Sequence, residues 1–124
     1  MDLSALRAPR PVPPVLNGRD HKVQAFLRDL EKIRTSKRPR KQIKRCEDLI
    51  YRVVQALRRT DQPDHLTATT GIWTLISIFR LFPEPMKELM LAAGVPGVLF
   101  EILKSGILTG SMRQYTSELC FFLR

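Results

Sequence analysis

Apolar residues recur along most of the chain at helical spacing. Val23, Phe26, Leu27, Leu30 and Ile33 stand at i, i+3, i+4, i+7 and i+10. That spacing places them on one face of a helix over about 21–35. Arg28, Asp29, Glu31 and Lys32 take the other side, and Asp20 is placed to cap the start. A basic connector around 36–40, broken at Pro39, leads to a second helix over about 40–59. Its stripe is Ile43, Cys46, Ile50, Val53, Val54 and Leu57, and Asp61-Gln62-Pro63 ends it. Asp64 can cap a third helix over about 65–82. Leu66, Ile72, Trp73, Leu75, Ile76, Ile78, Phe79, Leu81 and Phe82 make this helix apolar on most sides. A helix hydrophobic all round is buried from several directions. Gly71 interrupts it, and either permits a close helix crossing or splits the segment.

Pro83-Glu84-Pro85 stops the third helix. A short helix over about 85–93 follows, with Met86, Leu89, Met90 and Ala93 inward. Gly94 is placed as a left-handed stop. Pro96 sits in the first turn of the next helix, about 96–105, where its missing N–H costs nothing. Val98, Leu99, Ile102 and Leu103 form the inner face there, and Ser105-Gly106 closes it. Ser111 can cap a last helix over 111–124, with Met112, Tyr115, Leu119, Phe122 and Leu123 inward. Trp73, on so apolar a helix, reads as a core residue rather than a binding aromatic. No stretch alternates like a strand, so the fold class is all-α.

The residues before the first helix differ in kind. Positions 1–18 carry Pro9, Pro11, Pro13 and Pro14 and close on Asn17-Gly18. Proline lacks a backbone donor and restrains its predecessor, so this is an extended, disordered arm. Residues 19–124 make the helical domain. Pro11 and Pro14, beside Arg10, form a minimal P-x-x-P that a polyproline groove can bind; a plain linker has the same composition.

The run Met86-Lys87-Glu88-Leu89-Met90-Leu91-Ala92-Ala93-Gly94-Val95-Pro96-Gly97-Val98-Leu99-Phe100-Glu101-Ile102-Leu103-Lys104-Ser105 resembles an armadillo repeat. Repeats of this armadillo/HEAT-like class have a short first helix ending in small residues and Gly. A valine or isoleucine and a proline follow, and then a second helix of Leu-x-x-Leu-Leu type, supplied here by Leu99, Ile102 and Leu103. Segment 111–124 matches the long third helix in place. The resemblance covers residues 85–124, roughly one repeat, and helices 40–59 and 65–82 look like parts of a more diverged one before it. It implies a superhelical scaffold that holds protein partners without catalysis. The family often presents an Asn on each third helix to hold a peptide backbone, whereas this chain has no Asn after Asn17. About three repeats are needed for a stable stack. The expectation is therefore a fragment or short form of a longer solenoid, truncated at its C-terminal end. Its last inner helix would expose Phe121, with Tyr115, Leu119, Phe122 and Leu123 as an open repeat interface.

Charge adds a second theme. Lys plus Arg total 21 against 12 Asp plus Glu, a net +9. Such a surface attracts nucleic acid, acidic protein segments or anionic lipid. Seven bases and no acid lie between Arg34 and Arg45. Within them, Lys37-Arg38-Pro39-Arg40-Lys41 resembles a nuclear localisation signal, with Lys37, Arg38, Arg40 and Lys41 as the bases for a nuclear import carrier. The same run also reads as a solvated connector. Arg34, Lys44, Arg45, Arg52 and Arg59 extend it as a basic binding surface able to contact phosphates. Phe26 and Tyr51 are the only nearby aromatics, which argues against a stacking platform for single strands. Helix 40–59 also has the basic amphipathic pattern of calmodulin targets and membrane-surface helices, a pattern it shares with most packed helices that have a basic outer face.

Candidate chemistry is sparse. His21, His65, Cys46 and Cys120 stand in no metal-ligand spacing. There is no G-x-S-x-G and no phosphate-cradling glycine loop. The acids are scattered as caps and surface charges. The expectation is no enzyme and no cofactor. Two cysteines far apart suggest reduced thiols and a nuclear or cytoplasmic location. The N-terminus lacks the apolar core of a signal peptide. The longest uncharged stretch, Leu66–Phe79, has 14 residues where a bilayer span needs about 20.

Overall fold

The computed structural model describes residues 21–58 and 65–123. Six helices run through them: α1 (His21–Thr35), α2 (Pro39–Arg58), α3 (His65–Leu81), α4 (Pro83–Ala92), α5 (Val95–Ser105) and α6 (Gly110–Phe122). No strand occurs among the described residues, and the fold is all-α. The proline-rich arm, the P-x-x-P, the Asp20 and Asp64 caps, the Asp61-Gln62-Pro63 stop and Arg59 lie outside the described residues.

The first three helices, α1, α2 and α3, form one mutually packed group, and α4 packs on α5, which packs on α6. Between the groups, α2 meets α4 and α5, and α3 meets α4 and α6. The third helix of the first group therefore has neighbours on four sides. That explains its composition: every residue from Ala68 to Phe79 is buried, on all sides of the helix. Burying a side chain such as Ile72, Leu75, Ile76 or Ile78 is worth about 1.5–3 kcal/mol. Three of its hydroxyls are satisfied within the helix, while the buried Thr70 Oγ1 has no partner among the described residues. Thr69, Thr74 and Ser77 donate to the carbonyls of His65, Thr70 and Trp73 at 2.6, 2.8 and 2.8 Å. Gly71 does not split α3; it is the crossing point with α2. A Cβ there would lie 3.2 Å from Val53 Cγ1 and 3.5 Å from Leu57 Cδ2.

Proline and glycine set the boundaries. Pro39 does not break the connector but starts α2, because its ring is tolerated where N–H groups have no helical partner. Pro83 and Pro85 likewise both fall in the first turn of α4. Gly94 has φ +77°, the left-handed conformation expected of it, and α5 begins at the next residue. Gly106 ends α5 the same way, with φ +73° and its N–H donating to Leu103 O. At α6 the expected cap differs: Thr109 precedes the helix, Gly110 opens it with φ +60°, and Ser111 lies inside. The turn before it is pinned by Leu108, which is buried.

The expected open repeat interface is not open at its apolar positions. Leu119 and Leu123 are fully buried, and Tyr115 and Phe122 are half-buried. The cause is tertiary: α6 packs against both α5 and α3. The Phe122 ring sits 6.1 Å from that of Phe79 at 58°. Phe121 alone of this group is strongly exposed, at 59%.

Candidate interaction surfaces

The basic surface begins at the elbow between α1 and α2. Gln42 Nε2 donates to Ile33 O at 2.8 Å and to Ser36 O at 2.7 Å, which ties the end of α1 to the first turn of α2. The Arg38 N–H donates to Ser36 Oγ at 3.4 Å. Lys37 and Arg38 therefore sit in a short connector, while Arg40 and Lys41 belong to α2. Lys37-Arg38-Pro39-Arg40-Lys41 is a half-helical corner rather than an extended strand. All four bases, and Lys44 and Arg45 beyond them, are exposed.

Two of the other bases are directed elsewhere. Arg34 is half-buried, with its guanidinium carbon 5.8 Å from the centre of the Trp73 ring. Trp73 is itself buried, so this contact belongs to the core edge. Arg52 pairs with Asp29 across the α1–α2 contact. The bases thus divide: an exposed cluster from Lys37 to Arg45, one cation folded onto an indole, and one matched by a carboxylate.

A feature not singled out in the sequence lies further along α2. Tyr51, Val54, Gln55 and Arg58 of α2, with Ala92 and Ala93 of α4, line an open groove of about 650 Å³. Tyr51 is 45% exposed, an unusual position for a large aromatic. Arg58 Nη2 approaches Gly94 O at 3.5 Å. The groove exists because Ala92 and Ala93 bring no bulk to the end of α4. One signal was present in the sequence: Tyr51 stands on the otherwise polar face of α2.

The thiols sit away from these surfaces. Cys46 is buried in the contact of α2 with its neighbours, and burial pushes its thiol up to about 11. Cys120 is also buried, and its Sγ lies 3.7 Å from Pro96 O, bridging α6 to α5. Neither forms a disulfide. Among the described residues no His, Cys, Asp and Glu cluster could hold a metal ion. No described helix is long and apolar enough to cross a membrane.

No family model, no curated protein and no solved structure matches this chain.

Proposed function

We propose that this protein is a non-catalytic interaction scaffold of the armadillo-like type, holding protein partners on its helical surfaces in the nucleus or cytoplasm. One observation supports it most. Packing repeats at an interval of three helices, with α2 against α5 and α3 against α6. That is how a stack of three-helix repeats shares its core between neighbours. The Gly94-Val95-Pro96 junction, with Gly94 left-handed between α4 and α5, also supports the reading. The test is affinity capture from cell extract with and without nuclease. Each retained partner is then purified and mixed with this protein in light scattering. Partners that survive nuclease and form a defined complex support the scaffold.

A second reading is a basic module that binds nucleic acid. It is favoured by the six exposed bases between Lys37 and Arg45. Binding through phosphates weakens steeply with salt. A salt titration against duplex DNA discriminates: no affinity at low salt removes this reading.

A further inference from the structure

We infer that the outer edge of α2 and the Ala92–Ala93 end of α4 form a docking site for an extended protein segment with acid, apolar and acid blocks in that order. The inference rests on the scaffold reading and names the kind of partner it takes.

The geometry comes from helix periodicity. A residue advances 100° and about 1.5 Å along an α-helix. Arg40, Lys44, Tyr51, Gln55 and Arg58 stand at i, i+4, i+11, i+15 and i+18, so they form one stripe. All five are exposed. They lie opposite the buried stripe of Cys46, Ile50, Val53 and Leu57. The stripe runs about 27 Å, the reach of roughly eight extended residues.

Chemistry along the stripe changes twice. At its start, Arg40 and Lys44 stand with Lys37, Arg38 and Lys41. Glu47 and Asp48 then break the positive run. Tyr51 and Val54 follow, and with Ala93 they make the apolar part of the groove. Gln55 offers both a donor and an acceptor to a passing backbone. Arg58 closes the groove and, among the described residues, is the only charged one lining it. Among the described residues Arg58 pairs with no carboxylate; the ion pair of Arg52 with Asp29 lies at the α1–α2 contact. Its tip is steadied by Gly94 O, just past the C-terminal end of α4, where backbone carbonyls favour a cation. A guanidinium so placed matches a carboxylate in two parallel hydrogen bonds. Charge complementarity thus selects acids at both ends of the occupant and an aliphatic side chain between them. A nucleic-acid duplex, its bases stacked inside, presents phosphates to this stripe and no aliphatic side chain for the Val54 and Ala93 surface.

Fluorescence polarisation tests this with a labelled peptide built as a glutamate run, a leucine pair and a second glutamate run. A duplex oligonucleotide of equal charge, whose bases are not free to stack on Tyr51, is the comparison. Ala92 is exposed, so Ala92→Glu leaves the core intact, fills the groove and sets a carboxylate beside Arg58. Thermal melts confirm that the variant is folded. Expected is binding of the peptide, weakened about tenfold or more by Ala92→Glu, with Ala92→Gln less damaging. Tyr51→Ala should also weaken it, and the oligonucleotide should not respond to either change. No peptide binding up to roughly 1 mM, or equal binding by wild type and Ala92→Glu, overturns the inference. Equal loss of peptide and oligonucleotide overturns it too, as plain polyanion attraction. Partners that survive nuclease while this peptide fails leave the scaffold standing and place its contacts elsewhere.

Discussion

Arg58 and Gly94 meet at the seam between the two groups of helices: Nη2 lies 3.5 Å from the glycine carbonyl and 2.7 Å from where a Cβ at position 94 would stand. Two costs separate here. The arginine tip is flexible and can move aside from an added methyl. The backbone at φ +77° cannot change so easily, because it turns the chain from α4 into α5. A non-glycine residue in that conformation costs about 1–2 kcal/mol. Gly94→Ala is therefore expected to lower stability by about that amount in chemical denaturation, and Gly94→Asn by less. An unchanged midpoint for Gly94→Ala would show that the turn is not held as described.

Gly71 offers the opposite case. Its helical backbone accepts any residue, and alanine there gains about 1 kcal/mol of helix propensity. The 3.2 Å approach of Val53 Cγ1 opposes that gain. Gly71→Ala should shift stability by less than about 1 kcal/mol, whereas Gly71→Val overpacks the α2–α3 crossing and should cost about 1–3 kcal/mol. Equal tolerance of both changes would contradict the close crossing.

Cys46 links burial to pH. A buried thiol near 11 stays protonated while the unfolded chain, with an ordinary thiol, loses its proton first. Stability is then complete below the ordinary thiol range and falls as pH rises toward about 11, at up to about 1.4 kcal/mol per pH unit from this one group. Both cysteines should resist a thiol reagent at pH 8 in the native protein and react after denaturation. Fast native labelling of Cys46 would refute its burial.

The basic corner makes a cellular prediction. Changing Lys37, Arg38, Arg40 and Lys41 together to alanine in a reporter fusion is expected to abolish nuclear accumulation if the run is an address. Because Gln42 ties the corner to the end of α1, Gln42→Ala should free the run and strengthen the signal. An unchanged location in the fourfold variant removes the address reading.

Helix number and type were legible because the apolar stripes are long and regular. The all-round apolarity of residues 66–79 announced a central helix, and it has four neighbours. Gly94 was legible because left-handed turns select glycine so strongly. The start of α2 was legible to within one residue; Pro39 itself was ambiguous because one residue type both ends and begins helices. The inward face of the last helix was legible from its periodicity, but what covers Leu119 and Leu123 was out of reach for another reason. It depends on α6 reaching back to α3, a contact between residues far apart in the chain. The groove escaped for the same reason, since two alanines form a concavity only once α2 lies beside them.

Nuclease-treated affinity capture, followed by light scattering with each purified partner, tests the scaffold most directly. The expected result is at least one protein that survives nuclease and forms a complex of fixed stoichiometry with this chain. Release of every captured protein by nuclease would contradict it and favour the nucleic-acid reading.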